Sequence, residues 1–143
     1  MAITQAMATS FKVQLLNGTQ NFSADTFKLA LYTASATLGE NTTAYSASNE
    51  VASAGNYSAG GNTLSVSVTP TNSGNVAYIS FTNTSWTNAT ITSAGALIYN
   101  NTQSNAAVAV LSFGGDKTST NGTFAVNFPT ADSTSAIIRL TAS

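Results

Sequence analysis

The sequence predicts an all-β fold, an antiparallel β-sandwich or jelly-roll-like domain carrying one N-terminal α-helix. Three observations predict it: a single apolar repeat of period four at the start, seven short stretches of period two after residue 26, and Gly, Asn, Ser or Pro at the bounds of each. Strands that alternate in this way each present one apolar face, which is hidden only between two sheets or inside one closed sheet. At 143 residues with 43% hydrophobic content the chain suffices for one core. A single domain, 1–143, is therefore expected, with helix and arm in 1–18 and the sandwich in 26–143.

Taking the elements in order, Ile3, Met7, Phe11 and Leu15 recur every four residues and predict a helix of about four turns that ends at Asn17-Gly18. Such a stripe ordinarily docks on the chain's own sheet. Phe27, Leu29 and Leu31 alternate with Lys28, Ala30 and Tyr32 in a first strand reaching about Thr33. Further strands are expected over Thr63 to Thr69, Val76 to Thr82, Ala94 to Tyr99, Ala106 to Phe113, Thr123 to Phe128 and Ala136 to Thr141. Between the first and second strands, Ala34 to Asn62 has no clear period and is long for a connection inside a compact domain, which marks it as functional or mobile. Gly114-Gly115-Asp116-Lys117 and Asn121-Gly122 read as a glycine-rich hairpin loop between two strands.

Composition excludes much chemistry. There is no His and no Cys, and four basic and five acidic residues give a net charge of −1. Common acid–base and thiolate catalysis and transition-metal ligation lack their usual side chains. Lys12, Lys28, Lys117 and Arg139 stand singly, so no basic patch matches a run of phosphates, and nucleic acid is not an expected partner. No segment reaches the ~18 consecutive apolar residues of a membrane helix, and the N-terminus does not read as a secretory signal. Ser, Thr and Asn make up about 40% of the chain, and the eight Asn-x-Ser/Thr triplets follow from that abundance. Low net charge removes self-repulsion and favours association.

The carboxylates Asp25, Glu40, Glu50, Asp116 and Asp132 all fall in or beside predicted loops, and no motif pairs any two as a glycosidase would need. Asp116 lacks the spacing of a calcium loop, and the glycines around it lack the order of a phosphate loop. No cofactor, metal or small-molecule substrate is expected. Trp86 and the tyrosines offer rings for stacking on sugars, although Trp86, beside a strand, reads better as packing over a sheet edge.

Four stretches carry a resemblance: Phe11-Lys12-Val13-Gln14-Leu15-Leu16-Asn17-Gly18, Asp25-Thr26-Phe27-Lys28-Leu29-Ala30-Leu31-Tyr32, Ala94-Gly95-Ala96-Leu97-Ile98-Tyr99, and Val108 to Pro129. In this order they resemble a family of small β-rich virion structural proteins of tailed bacteriophages. The resemblance implies a structural role, foremost a head decoration or cement protein in the virion. Its partners would be the major capsid protein and copies of itself, a homotrimer being one arrangement. It implies no catalytic residues. The competing expectation is a tail or adhesion component that touches host glycans through Tyr45, Tyr57 and Trp86. The two regions exceeding what a sandwich needs are Ala2 to Ser10 and Ala34 to Asn62, so Ile3, Met7, Tyr45, Glu50 and Tyr57 are the expected partner-contacting residues.

Overall fold

A computed structural model describes residues 2–141. In chain order the elements are β1 (Ala6–Met7), α1 (Thr9–Leu16), β2 (Phe27–Tyr32), β3 (Asn62–Leu64), β4 (Val66–Ser73), β5 (Val76–Phe81), β6 (Thr84–Asn100), β7 (Ala106–Val126) and β8 (Ile138–Leu140). They form a five-stranded sheet, β1-β7-β6-β2-β3, and a three-stranded sheet, β4-β5-β8, with every named pairing antiparallel. The sandwich-like, all-β architecture with one helix near its start is as the periodicity predicts.

The chain crosses from one sheet to the other at Ser65, whose carbonyl accepts the Thr82 N–H at 2.8 Å. This splits the strand expected over Thr63 to Thr69 into β3 and β4. The core combines aliphatic side chains with a cluster of rings. Phe22 stacks on Phe27 at 4.6 Å, Phe11 meets Phe22 edge-on at 5.8 Å, and Phe81 lies 5.9 Å from Phe27. Offset and edge contacts of this kind add to the burial of large apolar area.

The helix corrects the sequence reading. It begins at Thr9, not at Ile3, and only Phe11 of its residues is fully buried. Ile3 instead bridges Leu38, while Ala6 and Met7 pair with Val110 and Ala109. The reason lies at Gly95, where a Cβ would stand 2.8 Å from Ile3 Cγ2. The missing side chain leaves a notch that takes Ile3, and ladder bonds to β7 hold the arm extended. Ile3 and Met7 are both half-buried against the core. At the far end the helix closes with Thr19 N–H on Gln14 O, 2.9 Å, and Asn17 N–H on Val13 O, 3.0 Å.

A second correction concerns the glycine-rich stretch. The expected strands over Ala106 to Phe113 and Thr123 to Phe128 are parts of one strand, β7, and Ala94 to Tyr99 is the end of the 17-residue β6. Gly114 to Lys117 is therefore not a hairpin loop. From the pair Ser93–Lys117 to the pair Gly95–Ser112, β6 advances two residues while β7 advances five, so the glycines form a wide bulge. The turn joining β6 to β7 lies at Asn101 to Asn105, with Ser104 and Asn105 in the left-handed region at φ 55° and 60°.

Candidate functional site

The long connection between β2 and β3 holds the densest cluster of ionisable side chains, and Glu50 is its centre. Tyr45 Oη donates to Glu50 Oε2 at 2.6 Å, and Tyr57 Oη donates to Oε1 at 2.7 Å. The Gly60 N–H adds a third donor, to Oε1 at 2.7 Å. Tyr57 Oη in turn accepts the Leu31 N–H of β2 at 2.9 Å, and Tyr99 Oη of β6 donates to Gly60 O at 2.7 Å. One carboxylate thus gathers three points of a loop, and two tyrosines carry the connection into the sheet.

Local backbone chemistry places these groups. Val51 N–H bonds Leu31 O at 2.9 Å, and Thr33 N–H bonds Asn49 O at 2.9 Å, so the loop returns alongside β2 and presents Glu50 to it. Gly61, at φ +73°, runs so close to β2 that a Cβ there would lie 1.7 Å from Leu29 O. Only glycine permits that approach. Asn56 Nδ2 donates to Thr87 O at 2.6 Å and Asn62 Nδ2 to Ser85 O at 3.0 Å, which fastens the loop along β6 as well.

Burial raises the proton affinity of the phenols. Tyr32, Tyr45 and Tyr57 are held well above the ordinary tyrosine value of 10.0, first by desolvation, with the Glu50 charge adding to it. Tyr99 is pushed up to about 12 by the same two causes in the same order. All four therefore stay neutral hydrogen-bonding groups at any physiological pH. Both oxygens of Glu50 are taken by donors of the chain itself, an arrangement suited to fastening a loop.

Of the five residues expected to contact partners, Tyr45, Glu50 and Tyr57 come together here, whereas Ile3 and Met7 lie in the arm on β7. Tyr57 is only 1% exposed, which leaves it no surface for another chain. Tyr45 is partly exposed and stacks on Tyr99 at 4.7 Å. Trp86 is 2% exposed and lies within β6, 5.4 Å from Tyr57, so it is a core ring and not a sugar platform or an edge cover. The roles of Tyr32, whose Oη donates to Ser46 O at 2.7 Å, and of Tyr99 and Gly60 escaped sequence reasoning, since nothing in β2 or β6 announces which phenol meets the loop, and Tyr99 lies 39 residues from Gly60. The adjacent glycines Gly60-Gly61 were the one available signal.

Two of the other acidic residues, Asp25 and Asp132, also fasten loops. Asp25 Oδ2 accepts from Asn100 Nδ2 at 2.8 Å, and Asp132 Oδ1 accepts from the Ser135 N–H at 2.6 Å. Among the described residues no three His, Cys, Asp or Glu side chains group so as to hold a metal ion. Comparison with protein-family models, with curated proteins and with solved structures finds no match to this chain.

Proposed function

We propose that this chain is a structural protein of a bacteriophage particle, a decoration protein that binds the major capsid lattice and reinforces it. The reading starts from the sequence resemblance, and one structural observation supports it: the outward face of the β6–β7 pair is broad, hydroxyl-rich and nearly free of charge. Ser85, Thr87, Thr90 and Thr92 are exposed on β6, and Thr118, Thr120 and Thr123 on β7. Thr92 Oγ1 and Thr118 Oγ1 meet across the strands at 3.2 Å. Asp116 and Lys117, at the bulge, are the only charges on the pair. Docking such a face trades water hydrogen bonds for protein ones and avoids the several kcal/mol that an unpaired buried charge costs.

The burial of Trp86 and Tyr57 removes two of the three rings on which glycan adhesion would depend. Washing purified particles tests the coat reading. Raising salt from about 0.1 to 1 M shortens the Debye length from ~10 to ~3 Å. A coat held through an uncharged face stays on the particle across that range, whereas release over the same range contradicts the reading.

A further inference from the structure

Two tyrosines of the Glu50 cluster are stacked on each other as well as hydrogen-bonded. The Tyr45 and Tyr99 rings lie 4.7 Å apart, 20° from parallel. Both bring their hydroxyls to one place. Tyr99 Oη donates to Gly60 O at 2.7 Å, and Tyr45 Oη donates to Glu50 Oε2 at 2.6 Å, while the other oxygen of Glu50 takes the Gly60 N–H. The rings therefore stack head to head, with the Cε carbons that flank each hydroxyl at the same end of the stack.

Tyr45 also meets what one-electron oxidation of a phenol requires. A neutral phenol that gives up an electron becomes a strong acid, so a base already bonded to its hydroxyl speeds the loss of electron and proton together. Glu50 Oε2 is that base. Tyr45 is partly exposed, which lets an oxidant reach it. Tyr57 shares the same carboxylate but is 1% exposed, and the ring beside it is Trp86, 5.4 Å away. Tyr78, on β5, is half-buried like Tyr45, but among the described residues no ring stacks on it and no carboxylate accepts its proton. Of these three phenols only Tyr45 combines access, a base and a stacked phenol.

We infer that Tyr45 and Tyr99 form a site of oxidative cross-linking, joined Cε to Cε by a one-electron oxidant such as a peroxidase intermediate or a photo-excited metal complex. The first equivalent of oxidant takes an electron from Tyr45, whose phenolic proton passes to Glu50 Oε2 and on to water. The second does the same to Tyr99, whose proton leaves to water. The unpaired electrons, spread onto the Cε carbons, pair as a C–C bond, and the hydrogens on the two joined carbons return to the oxygens. Two C–H bonds are broken, one C–C bond is formed, and two electrons and two protons have left the protein. The product ties the loop to β6 covalently. The inference concerns this cluster and stands apart from the coat reading, which depends on the β6–β7 face.

Illumination of the dilute, purified chain with a ruthenium tris-bipyridyl complex and persulfate tests it. Cleavage after Glu40 and Glu50 frees the peptide 41–50, which holds Tyr45, from the segment that holds Tyr99. The expected product is those two peptides held together and lighter by two hydrogens, with the blue fluorescence of dityrosine. Tyr45→Phe and Tyr99→Phe are each expected to abolish that fluorescence, and Tyr78→Phe to leave it unchanged. Glu50→Gln, shown by circular dichroism to be folded, is expected to slow its appearance at least about tenfold, a modest loss for a positioned base, while oxidation of Tyr78 keeps its rate. A wild-type chain that yields no joined peptides, a cross-link that survives Tyr45→Phe or Tyr99→Phe, an equal yield from the chain unfolded in urea, or a Glu50→Gln variant as fast as wild type would each overturn the inference.

Discussion

Tyr57 Oη donates to Glu50 Oε1 at 2.7 Å while accepting the Leu31 N–H at 2.9 Å, and through this one hydroxyl the long loop is tied to β2. Hydrogen bonds to a charged group each contribute about 1.5–3 kcal/mol, and a buried donor left without its acceptor costs a similar amount. Glu50→Ala removes the acceptor for Tyr45, Tyr57 and Gly60 together and is expected to lower stability by about 3–4 kcal/mol. Glu50→Gln, which keeps one carbonyl oxygen, should cost about half as much. Urea unfolding measures both, and amide exchange at Gly60 should speed in both variants. An unchanged urea midpoint for Glu50→Ala would mean that the latch carries no weight.

The same phenols give the protein an alkaline limit. A tyrosine whose folded value lies above its unfolded value keeps its proton longer when folded, so the stability it contributes is complete below the unfolded value and is lost as pH rises through the folded one. For Tyr99 that window runs from 10.0 to about 12. Stability is expected to hold up to about pH 10 and to fall beyond it, with phenolate absorbance of Tyr32, Tyr45, Tyr57 and Tyr99 appearing only as the fold opens. A spectrophotometric titration in which Tyr32, Tyr45, Tyr57 and Tyr99 ionise near the ordinary value, with the fold intact, contradicts the buried network.

Glycine positions separate space from conformation. Gly61 and Gly74 both have positive φ, 73° and 59°, but an added Cβ at Gly74 meets nothing whereas at Gly61 it meets Leu29 O. Gly74→Ala should therefore cost only the left-handed penalty of about 1–2 kcal/mol. Gly61→Ala adds a backbone collision and should cost at least twice that, with loss of the β2–β3 pairing. Parallel thermal melts decide the matter, and equal costs would show that the loop does not pass so close to β2.

Core and arm should also differ. Phe27, 1% exposed and stacked on Phe22, loses about 3–5 kcal/mol on truncation to Ala. Ile3, half-buried in the Gly95 notch, should lose about 1–2 kcal/mol. If Ile3→Ala proves as damaging as Phe27→Ala, the arm belongs to the core.

These positions also show how much of the architecture was legible in the sequence. The period-two pattern of Phe27, Leu29 and Leu31 reflects burial of a strand against a core, and it located β2 to within a residue. The pattern could not tell that Ser65 is where a strand changes sheets, because both halves alternate in the same phase. Gly114-Gly115 misled because a bulge and a hairpin loop make the same demand on the backbone and differ only in the register of the partner strand. Ile3 and Met7 kept helical spacing by coincidence, while the notch at Gly95, some 90 residues away in sequence, took Ile3 and the pairing with β7 held Met7 extended. At the site, the loop and three of its residues were visible through length and composition, but the convergence on Glu50 arises from tertiary packing.

A capsid coat of this kind would depend on abundance more than on any single contact, since modest uncharged contacts hold firmly only when repeated over a symmetric surface. Counting copies of this chain per particle against the major capsid protein, by quantitative mass spectrometry of purified virions, is the direct test. The coat reading predicts hundreds of copies in a fixed ratio to the capsid subunit. A handful of copies per particle, or none, would contradict it.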